Sequence, residues 1–361
     1  MDDPRLFGTG GTVNEEILDR AIRRAIRVQQ FSKGQAEEIR VLLQKKVYPR
    51  LIERVAARLA NISARGYDVG PKTSKRTANM FAQVDEIIQE EIQLVAKDAH
   101  RTTVAFARSE SDWLLRSMSG AAPIELGLSP PSAQVLKSAA TSRPFQGRLL
   151  RDWYGDLATD TQKRVRGAIR DGMSNGETLD DIVRRLRGTR AGGFRDGVLR
   201  TTTRQAQNIA RTSMSHVSAH AREATYDANE SLIKGVVWVS TLDGRTSLTC
   251  IALDGEEFPV GEGERPPAHW GCRSSTIPVL KSWKELGVNA GEMSPGQRAS
   301  MNGLVPGGTT YGEWLKTQDL AFQNEVLGPG RAKLFREGLG VDAFTGANLK
   351  PISLAQLSAA S

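Results

Sequence analysis

Apolar residues recur at three- and four-residue spacing through the first third of the chain. Ile17, Leu18, Ala21, Ile22, Ala25 and Ile26, which follow a Gly/Thr-rich stretch at residues 8–12, trace one face of a helix. The same period runs from about residue 35 to 62 through Ile39, Leu42, Leu43, Val47, Leu51 and Val55. Pro49 falls inside it, has no N–H to donate, and predicts a kink or break. Phe81, Val84, Ile88, Ile92 and Val95 predict a third helix over about 74–118. The first third therefore reads as a bundle of long helices. Residues 119–132, with Gly120, Pro123, Gly127, Pro130 and Pro131, carry enough helix breakers to read as a linker.

Two shorter helices are expected next. The second opens on Thr178-Leu179-Asp180-Asp181, a capping box with Asp in its last place. Leu179, Ile182, Val183 and Leu186 form its stripe, and Gly188 closes it. A Gly/Arg loop over 188–200 leads to a long helix over about 202–229. The period then changes. Val236-Val237-Trp238-Val239 is a β-rich run, and Asp243-Gly244 and Asp254-Gly255 are turn signals ahead of Phe258, so a small antiparallel sheet is expected. Beyond Pro278 the chain reads as loop up to Gly308, followed by a helix over 311–326 and a short one near 331–337. The predicted fold class is α+β, mostly α-helical, with long N-terminal helices followed by helices packed on a small antiparallel sheet. Three segments are expected: 1–120, helical, for partner docking or oligomerisation; 133–280, helices plus the sheet; and 281–361, a loop-rich extension.

Composition narrows the class. Of 361 residues, 39% are hydrophobic and 25% charged, which argues against both wholesale disorder and a membrane-embedded fold. No apolar run approaches the roughly 20 residues needed to span a bilayer, and Met1-Asp2-Asp3-Pro4 lacks the regions of a secretion signal, so the chain is expected to be made and kept in a cytoplasm. Two cysteines, Cys250 and Cys272, exclude a disulfide-built scaffold and predict free thiols or metal ligands. The net charge is +8, and residues 143–204 hold fourteen Lys/Arg against eight Asp/Glu. Arg164, Arg166, Arg170, Arg184 and Arg185 are candidate contacts to DNA phosphates there. A solvated basic surface fits the same residues, since few aromatics accompany them to stack on bases.

The segment 238–278 holds the chain's densest chemistry. Cys250, His269 and Cys272 are ligands of the kind zinc prefers, and His269 and Cys272 are close enough to share one knuckle. Asp243, or one of His216 and His220, which lie four apart on a helix, could supply a fourth ligand. Alternatively the two cysteines pack as small buried hydrophobes beside the sheet. The same residues also furnish the cast of a cysteine hydrolase, with Cys250 as nucleophile, His269 as base and Asp243 as orienter, or of a metal-dependent nuclease. No second acidic cluster accompanies them to hold a catalytic cation. His216 and His220 lack the glutamate of a zinc-protease helix and read as helix-surface residues. Gly328-Pro329-Gly330-Arg331-Ala332-Lys333 lacks a phosphate loop's ending and reads as a helix start.

From about Leu157 to Leu357 the order of elements resembles the Mu F-like minor head (head morphogenesis) proteins of tailed bacteriophages. Ile209-Ala210-Arg211-Thr212 resembles the helix preceding that family's sheet. Asp243-Gly244-Arg245-Thr246 with Cys250 resembles its Asp-x-Arg-Thr and cysteine, and Leu253-Asp254-Gly255 resembles its turn. Pro267-Ala268-His269-Trp270-Gly271-Cys272-Arg273 is similar to its Pro-x-His-x-x-Cys-Arg-Cys ending. Tyr311-Gly312-Glu313-Trp314-Leu315 and the stretch 322–328 also resemble its C-terminal part. Ser213, Ser247 and Ser274 depart from it, standing where relatives carry a glutamate and cysteines, and so remove potential ligands. The resemblance implies a structural component of the virion, not an enzyme, at the portal vertex or head interior and assembled in the host cytoplasm. The implied partners are the portal and other head proteins and packaged DNA, with no membrane during assembly and no cofactor beyond a candidate zinc. Two other readings remain: a metal-dependent hydrolase or nuclease using Cys250, His269 and Cys272, and a nonspecific DNA-binding module.

Overall fold

The computed structural model describes residues 13–63, 75–122, 124–282, 285–286 and 297–360. Residues 1–4, the Gly/Thr-rich stretch at 8–12, Pro123 and part of the loop expected after Pro278 lie outside the described residues. The fold is mostly helical with a small antiparallel sheet, as the hydrophobic periods predict. The chain forms two compact units. One comprises Met1–Gln30, Phe106–Ala140 and Ser215–Ser361, the other Phe31–Ala105 and Thr141–Met214.

Helix α1 spans Val13–Leu42 and α2 spans Tyr48–Ser63, joined by a π-helical turn over Leu43–Val47. The kink or break expected at Pro49 takes the form of this π turn, which interrupts the α-helix just ahead of the proline. The backbone widens just before the proline, where the Tyr48 N–H bonds the Leu43 carbonyl five residues back. The helix thus passes the position where proline withholds its donor without ending. Helix α3, Lys75–Ala121, is followed by three helices and not two: α4 (Ala133–Thr141), α5 (Leu150–Ser174) and α6 (Leu179–Arg187). The α6 capping box forms as predicted. Thr178 accepts from the Asp181 N–H at 3.2 Å, and Asp181 reaches back to the Thr178 N–H. Helix α7 follows at Leu199–Asp227.

In the second unit, α2 and α5 pack on α6 around a core that includes Leu51, Val55, Phe81, Ile88, Val165, Ile169, Ile182 and Leu186. The buried Tyr48 hydroxyl donates to the Leu199 carbonyl at 3.0 Å and lies 2.8 Å from Thr203 Oγ1.

The first unit contains the sheet. Strand β1 (Ile233–Val239) is central, with β2 (Glu257–Phe258) and β3 (Ser275–Leu280) antiparallel on either side. Val237, Val239, Ile277 and Val279 pack against Leu18, Ala21 and Ile22 of α1. On the alternate positions, Val236 joins a core with Leu114, Met118 and Tyr226, and Trp238 packs with Cys250, Leu253 and Cys272. Burial on both faces explains why the strand reads as an unbroken apolar run and not as an alternation.

A short helix α8, Leu248–Leu253, lies between β1 and β2. Part of the expected loop after Pro278 is a hairpin, β4 (Gln297–Ser300) with β5 (Gly303–Pro306). The single helix expected over 311–326 is two, α9 (Tyr311–Lys316) and α10 (Leu320–Leu327), because the Asp319 carboxylate accepts from the Phe322 N–H and starts a new helix. Helix α11 (Pro329–Arg336) opens at Gly328 with Pro329 in its first turn, as read from the sequence. A 3₁₀ turn (Val341–Phe344) and α12 (Leu354–Ala360) follow. Around these helices Tyr311, Trp314, Leu315, Phe335 and Phe344 form a further core with Leu242 and Ile251.

Candidate functional site

The residues singled out between Asp243 and Arg273 converge at the end of the sheet within the first unit. Asp243 sits in the turn after β1, where its carboxylate accepts from the Arg245 N–H at 2.9 Å and is held by both terminal nitrogens of Arg273. Thr246 Oγ1 donates to the Thr241 carbonyl at 2.6 Å and closes the turn. Burial works to raise the Asp243 carboxyl pKa, but the Arg273 hydrogen bonds and the Arg245 N–H outweigh it, so the group ends below its ordinary value. The Tyr311 hydroxyl donates to the Asp243 carbonyl at 2.7 Å and joins this turn to α9.

Asp254, buried at the end of α8, is the second node. Its carboxylate accepts from the Ser240 N–H at 2.6 Å, from Arg298 at 2.7 and 3.0 Å, and from the Tyr311 N–H at 2.7 Å. One carboxylate thus ties together the end of β1, strand β4 and the start of α9. Gly255 follows with φ +91°, and a β-carbon there would come within 3.0 Å of Thr310 Cγ2. The Leu-Asp-Gly turn is therefore an architectural joint.

The third group is Cys250, His269 and Cys272. Cys250 lies in the first turn of α8, whose N-cap is Ser247. His269 and Cys272 sit in one turn closed by the Cys272 N–H on the His269 carbonyl at 3.1 Å. Cys250 Sγ is 3.6 Å from Cys272 Sγ and 3.4 Å from His269 Nε2, and both thiols are buried. The hydrogen bond from Cys272 draws the Cys250 thiol down to about 7 against the opposing effect of burial. The same contact, with burial, pushes the Cys272 thiol up.

The remaining candidate ligands lie elsewhere. Among the described residues, the three-donor group of Cys250, His269 and Cys272 does not include Asp243, His216 or His220. His216 and His220 stack edge to face on α7, ring centroids 4.4 Å apart, and His216 is buried, not a surface residue as read from the sequence. A catalytic triad is not assembled either. His269 Nδ1 is 3.0 Å from the Trp270 carbonyl, and the Asp243 carboxylate is taken by Arg273.

The basic candidates all lie in the second unit, and each has an intramolecular contact. Arg164 donates to Gln205 Oε1 at 2.7 Å, and burial lowers its pKa. Arg166 pairs with Asp85 at 2.8 Å. Arg170 lies 5.0 Å from the centroid of the Phe81 ring. Arg184 meets Asp181 at 3.3 Å, and Arg185 is paired with Glu177. Arg170, Arg184 and Arg185 remain exposed. Of the other motif residues, Thr212 is buried in α7, whereas Arg211 donates to Asn208 Oδ1 at 2.6 Å.

Two residues essential to the first unit's interior escape sequence reading. Arg298 is the partner of Asp254. Glu110, fully buried on α3, accepts from Arg222 Nε at 2.7 Å, Arg24 Nε at 2.9 Å and Ser218 Oγ at 3.0 Å, and Arg222 also donates to the Thr276 carbonyl at 2.9 Å. A lone Glu within a long helix carries no local mark of burial.

The conspicuous polar residues of the first unit thus hold turns, strands and helices together, which is the construction of an architectural module. Residues 163–277, about a third of the chain, match the family described as Phage Mu protein F like protein. No curated protein and no solved structure matches the chain.

Proposed function

We propose that this protein is a minor structural component of a tailed phage head, placed in the virion at the portal vertex or on the inner face of the head, and acting in assembly and not in turnover. The observation that carries this reading is the use made of the family's motif. Asp243, Asp254, Gly255 and Arg273 serve as joints between elements, and none presents an unengaged reactive group. The hydrolase cast of Cys250, His269 and Asp243 finds no support, because the Asp243 carboxylate is committed to Arg273 while His269 Nδ1 meets the Trp270 carbonyl.

The partners in this reading are the portal and other head proteins. No described helix is long and apolar enough to cross a membrane. Crosslinking mass spectrometry on purified proheads tests the placement. Crosslinks from this chain to the portal protein are expected, and crosslinks confined to the major capsid lattice would refute the portal placement.

Packaged DNA is a secondary partner, met through Arg170 and Arg184, two exposed members of the basic set. For the purified chain, replacing both with alanine should reduce the slope of log affinity against log salt by about 2, one for each phosphate no longer neutralised. An unchanged slope would remove DNA from the set of partners.

A further inference from the structure

We propose that Cys250, His269 and Cys272 form a binding site for one thiophilic divalent cation of the zinc class, a structural clip that fastens α8 to the loop leading into β3. The inference is independent of the head-protein reading, because it rests on donor geometry alone.

Around a tetrahedral zinc ion, with metal–sulfur and metal–nitrogen bonds of about 2.3 and 2.0 Å, adjacent sulfurs stand roughly 3.8 Å apart and a sulfur and a nitrogen roughly 3.5 Å apart. Cys250 Sγ stands 3.6 Å from Cys272 Sγ and 3.4 Å from His269 Nε2, and the three donors all lie within 4.8 Å of one another. Two measured separations therefore already match edges of the coordination tetrahedron.

The imidazole is oriented for ligation. Nδ1 donates to the Trp270 carbonyl at 3.0 Å, which leaves Nε2 as the nitrogen with the lone pair, and the Ser247 hydroxyl lies 2.9 Å from that same Nε2. A backbone carbonyl on the far nitrogen is the usual outer-shell support of a metal-bound histidine. Ser247 also accepts from the Cys250 N–H at 3.3 Å and so fixes the turn that carries one donor, while its contact with Nε2 is given up when that lone pair passes to the metal.

The two thiols are buried and the site is formed by the fold. Both cysteines are 2% exposed and pack against Trp238, itself held by its Nε1–H on Ser240 Oγ at 3.0 Å. Cys250 comes from the start of a helix, and His269 and Cys272 come from a single turn. Three protein donors leave a fourth coordination place to water or another small ligand. A disulfide is the competing use of the same sulfurs, but it would require them to close to about 2.0 Å and would give His269 no role.

The experiment uses the full chain, purified under reducing conditions and stripped of metal with a chelator. Titration with Co²⁺ is expected to saturate at one equivalent and to give the thiolate-to-cobalt charge-transfer band and intense d–d bands of a tetrahedral site, which zinc then displaces. Cys250→Ser, Cys272→Ser and His269→Ala should each abolish that spectrum, while His100→Ala leaves it intact. Should a cysteine variant fail to fold, the wild-type chain decides the matter alone, because zinc should slow alkylation of both thiols at least tenfold. Failure to bind either metal at one equivalent, a cobalt spectrum lacking the charge-transfer band, or alkylation unaffected by zinc would overturn the proposal. So would an intact mass showing that the purified chain carries a disulfide and refuses metal.

Discussion

Asp254 shows how much a single buried carboxylate organises. Its oxygens are shared among the Ser240 N–H, the Arg298 guanidinium and the Tyr311 N–H, and Arg298 is itself 4% exposed. Asp254→Ala leaves that guanidinium buried without its counter-charge, and the expected loss is about 3 kcal/mol or more of unfolding free energy. Urea denaturation followed by circular dichroism measures it, and a loss below about 1 kcal/mol would contradict the assigned role. Asp243 makes a prediction in pH. Because its folded-state pKa is depressed, its contribution to stability is complete above the ordinary carboxylate value near 4 and is lost as pH falls through the lower folded value. Asp243→Asn should therefore flatten the acid side of the stability profile and change its slope little near neutrality; an unchanged acid limb would contradict the Arg273 pairing. At this scale the sequence was legible where the chemistry is local. Asp-Gly turns, the Thr178 cap and the spacing of His269 to Cys272 all announce themselves. Arg298 and Glu110 do not, since their partners lie 44 and up to 112 residues away and nothing nearby marks the pairing.

Among the elements, those with a long hydrophobic period were readable, and their ends followed capping chemistry. Thr178 at the start of α6 is a direct case. Thr178→Ala removes an acceptor from the Asp181 N–H and should cost the unit built around α6 about 1 kcal/mol. Thermal denaturation monitored at the α5–α6 core checks this, and no measurable shift would mean that the cap is not formed in solution. The kink or break expected at Pro49 appears as a π turn, because proline removes one donor without dictating how the chain responds. The hairpin of β4 and β5 reads as loop because each strand is four residues long, too short for alternation to register. The α9–α10 break is hidden for the opposite reason: apolar spacing carries on across Asp319, whose capping role depends on backbone geometry.

The whole molecule is assembled from stretches distant in sequence, and each of its two units draws on separate parts of the chain. Hydrophobic patterning reports which face of an element is buried but not against what, so this arrangement left no trace in composition. The Mu F-like segment was legible because its turns and its Cys/His residues keep a fixed order, and 163–277 is where the family match falls. The first unit's polar residues are committed to holding elements together, which suits a part built into a particle and retained there. The most direct test is quantitative mass spectrometry of gradient-purified virions and proheads of the parent phage. The account predicts peptides from this chain in both, at low and constant stoichiometry to the major capsid protein. Their absence from both particles, with the chain found only free in the lysate, would contradict it.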